Sequence, residues 1–290
     1  YDSTLLEKLY NKCKKYACDV GICSCQRFDQ STGNLEYTPW FLDRSIIPKK
    51  EYFSLKEIAD HAFTFDVGWP WDKLFRTEFV RSKGFKFQDI RSSNDALFVF
   101  MSSVSATRVT VVDEVLATHR VNTRTSLSQT RKVSTHSFFE AIKEIKSSLL
   151  KNGLWDTYRK GFINWATGFT VWHYVTNDEE SRNETKTIIR DEVCKEIEFD
   201  TLPREEFIKK KEYDVFASFL GSPYNDGTNV PSDFDGSIEW YREAVGHDVD
   251  WAIKDLFEIL WKLNTPETDA EAANVILPLA EIGDAVAEFK

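Results

Sequence analysis

One change of periodicity constrains this chain more than any other feature. Up to His119, helical spacings of apolar residues alternate with short β-type runs, whereas from about Ser134 onward every apolar pattern is helical. The expected fold class is therefore α/β in the broad sense, mixed α+β. The strands belong to residues 1–130, and a mostly α-helical region spans residues 131–290. At 290 residues the chain can bury a sizeable core, as one large domain or two smaller ones.

Residues 4–16 read as a helix capped by Ser3, with Leu5, Leu6, Leu9 and Cys13 on one stripe. Residues 19–28 read as a strand, ended by the turn-forming Ser31-Thr32-Gly33-Asn34. Ser54 and Glu57 stand at capping-box spacing before a helix reaching about Ala62. Residues 76–83 predict a short helix stopped by Gly84, and Asn94 predicts the cap of a helix carrying Ala96, Leu97, Phe100 and Met101. Residues 107–112 and 115–119 are the last strands expected. Further helices are expected over residues 138–149, 155–175, 179–196, 204–211 and 248–262. The last carries Val249, Ile253, Leu256, Phe257 and Leu260 on one stripe. Residues 223–232, with Pro223 and Pro231, predict a loop or boundary.

Charge narrows the function classes. Residues 232–290 hold 14 acidic against 4 basic side chains, which accounts for the whole formal net charge of −10 and leaves the first 231 residues balanced. A balanced body with an acidic end lacks the basic face that nucleic acid requires. No apolar run is long enough for a membrane span and no secretory leader is evident, so a cytoplasmic protein is expected, or one peripheral at the inner face of the membrane. The five cysteines, Cys13, Cys18, Cys23, Cys25 and Cys194, show no paired CxxC spacing. Cys23 and Cys25, two apart in a strand, share a face and read as buried thiols.

Three short elements carry chemistry. The first is Gly68-Trp69-Pro70-Trp71-Asp72-Lys73-Leu74-Phe75-Arg76, in which the indoles offer planar faces suited to a pyranose ring or, equally, to a core. The second is Asn94-Asp95 at a helix start, where the positive helix end favours an ionised, directed carboxylate; the plainer reading is a cap. The third is His119-Arg120-Val121-Asn122, followed by Ser126-Leu127-Ser128 in a polar, basic loop over residues 123–132.

In this order the three elements resemble the acceptor-side half of bacterial-type family 2 glycosyltransferases, enzymes of the GT-A fold that move a sugar from a nucleotide diphosphate onto a hydroxyl. The resemblance covers residues 1–175 and is strongest over 68–128. It implies that residues 1–130 are a partial GT-A domain and that Asp95 is the general base of an inverting transfer. It also implies that Trp71, Asp72, Lys73, Asn94, His119 and Arg120 bind substrate, with Arg120 on diphosphate oxygens. Asp72 replaces the commoner Asn, and His119 the usual Tyr. Lys73 either approaches the diphosphate or fixes the turn.

By the same resemblance, Tyr1-Asp2-Ser3-Thr4-Leu5-Leu6 looks like the segment that follows the family's metal-binding Asp-x-Asp. The first half of the fold and the ligands of a divalent Mn or Mg ion would then precede Tyr1, and this chain alone would be nearly inactive. Asp233-Phe234-Asp235 has the same letters but lies far from the expected order. Asn183-Glu184-Thr185 matches a glycosylation sequon and is read as accidental. The implied partners are a nucleotide-diphospho-sugar donor and a cell-surface glycan or lipid-linked acceptor. An alternative of a different class is a non-catalytic helical interaction module, self-associating through the acidic C-terminal helices.

Overall fold

The computed structural model describes residues 1–38, 41–121, 136–177, 179–220 and 265–281, with positions 242, 245, 253, 256, 257, 260 and 261. The chain divides into two compact units. The first is Tyr1–Ala166 with Asn177–Ser181, and the second is Thr167–Thr176 with Arg182–Lys290.

The first unit is built on a small mixed sheet. Its centre is β1 (Val20–Asp29), which pairs antiparallel with β2 (Leu35–Tyr37) and β3 (Lys73–Phe75) and parallel with β4 (Val109–Val121). The two separate strands expected over 107–119 are one strand. Pairing to β1 passes from Val112 straight to Val115, so a bulge absorbs the exposed Asp113 and Glu114 without ending the strand. Among the described residues β4 is the last strand, and helices follow, as the periodicity predicts. β3 was not foreseen: three residues show no alternation, and their register is set only by β1.

Helix α1 (Leu5–Tyr16) lays Leu5 and Leu9 on this sheet, where they join Cys23, Cys25, Phe41, Val112, Leu116 and Ala117 in one core cluster. Leu6 is exposed rather than on the stripe, because one residue step turns the helix by about 100° away from Leu5. Ser3 does not cap α1. Thr4 holds the cap position, and the Asp2 carboxylate accepts from the Thr4 N–H (2.8 Å) and hydroxyl (2.6 Å).

The Ser54–Glu57 capping box forms as predicted, but residues Leu55–His61 make a 3-10 helix, broken at Ile58. Helix α2 (Thr77–Lys83) stops at Gly84 as expected, and α3 (Ala96–Ser105) follows. The correction at α3 concerns its cap: Asp95, not Asn94, holds the N-cap position, and no side chain caps it. Asn94 is exposed, and its carbonyl accepts from the Gln88 N–H (2.9 Å), because Ser93 adopts a left-handed turn (φ 59°) just before it.

A second core lies where α4 (Ser137–Lys151) and the first half of α5 (Trp155–Thr176) cover α3. Phe63 is at its centre, with ring centroids 5.0 Å from Phe100, 5.9 Å from Phe162 and 5.9 Å from Trp165. The buried Tyr158 hydroxyl donates to the Val104 carbonyl (3.2 Å), which meets its polar requirement. Gly161 lets α5 approach the 3-10 helix closely, since a methyl there would overlap the Ala59 carbonyl oxygen.

In the second unit the helix expected over 179–196 is α6 (Glu179–Ile188) continuing through a π-turn (Ile189–Val193) into α7 (Cys194–Ile197). The helix expected over 204–211 is displaced: a 3-10 turn occupies Arg204–Glu206, and α8 runs Lys210–Leu220. Phe207 is extended (φ −75°, ψ 137°) and sits against Phe199 (5.4 Å) and Tyr213 (4.8 Å), which interrupts the helix. Arg204 forks onto the buried Asp214 (2.7 and 2.9 Å) instead of continuing the turn. Val249 of the stripe expected in 248–262 and the loop over 223–232 lie outside the described residues, as does Asp233-Phe234-Asp235. The described stripe members Ile253, Leu256, Phe257 and Leu260 are buried. Helix α9 (Pro266–Glu281) was not predicted, although Thr265 followed by Pro266 is a start signal, and Thr265 exchanges cap bonds with Thr268. Among the described residues, no helix is long and apolar enough to cross a membrane.

Candidate functional site

The turn from Asp66 to Lys73 has an inner and an outer side. On the inner side the fully buried Lys73 ammonium lies 2.7 Å from Asp66 Oδ2 and 2.8 Å from Asp72 Oδ1, and it donates to the carbonyls of Val67 (3.0 Å) and Trp69 (2.8 Å). The ammonium thus hydrogen-bonds Asp72 Oδ1 and the two carbonyls, and Asp66 completes the group as an ion pair. Of the two roles expected for Lys73, fixing the turn is the one its geometry serves. Burial pushes the Asp66 and Asp72 carboxyls up, Asp72 to about 6, against the pull of Lys73. Burial alone would lower Lys73, but the two carboxylates together hold it above its ordinary value. Asp66 was missed at the sequence level. Its signal is an acid inside the apolar run from Ala62 to Val67, a place where a charge needs a partner.

On the outer side Trp69 and Trp71 stack at 4.9 Å and 23°, and both rings meet His119, at 4.7 and 5.3 Å. These three side chains are half-buried, and Trp69 and Trp71 pack against the core cluster beneath them. Gly68 lets the turn lie against α3, because a Cβ there would stand 2.7 Å from the Phe100 ring. His119 is pushed below its ordinary range by burial and then by the Arg27 charge. Its Nδ1 is buried and has no protein hydrogen-bond partner. The structure therefore brings Trp71 and His119 together from positions almost fifty residues apart. Arg120 is exposed and pairs with Phe28, so it leaves β4 on the opposite face from His119. Asn122 and the loop over 123–132 lie outside the described residues.

Asp95 stands at the start of α3 with its carboxyl uncommitted to a cap. Burial pushes its pKa up, opposed by its own N–H, by the charge of Lys73 and by the Ala96 N–H. One helical turn along, Phe98 is stacked on Phe87 (4.6 Å) and meets Phe75 of β3 (4.9 Å), which ties α3 to that strand.

Among the described residues, no group of three or more His, Cys, Asp or Glu side chains is arranged to hold a metal ion. Asp66 and Asp72 already share the Lys73 ammonium and do not fit one. Cys23 and Cys25 are buried free thiols as expected, and burial pushes both up, Cys23 to about 12, far from a reactive thiolate. Comparison with protein-family models and with curated protein sequences returns no match.

Proposed function

We propose that this chain is the acceptor-side part of an inverting family 2 glycosyltransferase, with Asp95 as general base. The observation that carries the reading is that the Trp69–Trp71 turn and His119, from two of the three motif elements, meet in one half-buried aromatic cluster. A sugar ring stacked on the indoles presents its hydroxyls to polar groups at the rim. A carboxyl raised by burial suits removal of the proton from an attacking hydroxyl, since a base works best when its pKa approaches the working pH. Any divalent metal would need ligands other than those described here. No step is assigned to a metal.

In the complete enzyme, Asp95→Asn is expected to abolish transfer while leaving donor binding intact; retained turnover would remove Asp95 from the role. A second reading, a helical interaction module, is favoured by one observation in the second unit. There α5 leaves Trp172 and Val175 exposed by 45% and 49%, one turn apart.

A further inference from the structure

The pairing of β1 with β4 decides which cation shares the aromatic face. Residues paired directly across parallel strands project to the same side. The structure bears this out, because Gln26 Nε2 donates to Thr118 Oγ1 (3.3 Å) across one pair, and Cys25 and Ala117 of the neighbouring pair both lie in the cluster closed by Trp69 and Trp71. The next pair is Arg27 with His119, and the one after it is Phe28 with Arg120. Arg27 therefore belongs to the side of the Trp69–Trp71–His119 stack, and Arg120 to the other. The Arg27 charge is also felt by the His119 imidazole.

Arg27 is only loosely engaged. Its Nη1 stands 4.0 Å from Glu36 Oε2 on β2, with the two side chains 36% and 68% exposed, and an ion pair of that length and exposure adds little. Lys73, the cation under the turn, is buried and held by four oxygens. A guanidinium offers a fork for a carboxylate or a phosphate, which a point charge does not.

We propose that Arg27 is the anion-holding side chain of this face, gripping an anionic oxygen group while a sugar ring lies on the Trp69–Trp71–His119 stack. The group is either the diphosphate of a donor or the carboxylate of an acidic sugar. This inference rests on the transferase reading and adds to it a residue and a charge preference. Glu36 is the built-in competitor and must swing away when the anion arrives.

The test is titration of the chain with inorganic pyrophosphate, methyl β-glucuronide and the neutral methyl β-glucoside, followed by tryptophan fluorescence and by the His119 imidazole resonances. Arg27→Gln is expected to raise the Kd of the anionic probe at least tenfold, with partial rescue in Arg27→Lys. Arg120→Gln should stay within twofold of the parent, and Glu36→Gln should bind more tightly. An effect on pyrophosphate alone assigns Arg27 to the donor diphosphate, and an effect on the glucuronide alone assigns it to an acidic acceptor. Equal binding of glucuronide and glucoside, with pyrophosphate indifferent to Arg27→Gln, overturns the inference but leaves the stacking face standing. Loss in Arg120→Gln instead of Arg27→Gln also overturns it. Failure of all three probes to bind overturns both the inference and the aromatic site.

Discussion

The inner and outer sides of the Asp66–Lys73 turn differ in how their charged groups are engaged: buried and closely paired inside, exposed and loosely paired outside. Inside, the Lys73 ammonium pairs with Asp66 (2.7 Å), donates to Asp72 (2.8 Å) and ties down two carbonyls, all with almost no exposure. Outside, Trp69, Trp71 and His119 are half-buried, and Arg27 holds its partner only at 4.0 Å. Residues adjacent in sequence thus divide into a staple and a surface. Motif letters alone cannot make that division, because Trp71, Asp72 and Lys73 stand side by side in one motif.

The largest expected effect breaks the inner side. Lys73→Met leaves two buried carboxylates without their cation and should cost about 3–5 kcal/mol, read as a fall in the urea midpoint. An outer-side change should behave differently: Trp71→Ala is expected to cost only about 1–2 kcal/mol, since the ring is half exposed already, yet to remove sugar binding. A loss of stability as large as that of Lys73→Met would erase the distinction between the two sides.

Asp72→Asn sharpens the comparison further. The surplus negative charge of the triad disappears while its shape is kept, so stability above pH 7 should change by no more than about 1 kcal/mol. The pH dependence has a definite sign. Asp72 in the folded state titrates at about 6, above the ordinary 3.8, so the folded state binds the proton more readily. Its stabilising contribution is complete below the ordinary value and is lost as pH rises through about 6. The parent protein should therefore gain stability relative to Asp72→Asn as pH falls from 7 to 4, in paired urea titrations. The smallest effect is on His119, whose imidazole should titrate below 6.5 and move upward in Arg27→Gln.

Much of this architecture is legible from local pattern. The 22 residues of α5 match the aromatic helical run predicted over 155–175, the Ser54–Glu57 box forms, and Cys23 and Cys25 share a buried face. These features depend on neighbours within a turn or a strand. What escaped the sequence depends on distant partners. β3 exists because β1 lies beside it, Phe207 interrupts a helix because Phe199 and Tyr213 draw it inward, and Arg27 faces His119 through a register set after a bulge. The same holds at the site: Trp71, His119 and Asp95 stand out by motif, whereas the staple role of Asp66 and the facing of Arg27 needed the fold.

The most direct test of the central claim is to follow the indole N–H resonances of the protein while adding a panel of oligosaccharides. Saturable shifts at Trp69 and Trp71, lost in Trp71→Ala and absent at Trp172 and Trp261, are the predicted result. Shifts confined to Trp172 and Trp261, with Trp69 and Trp71 unmoved, would contradict an acceptor site on the aromatic face and favour the interaction-module reading of the second unit.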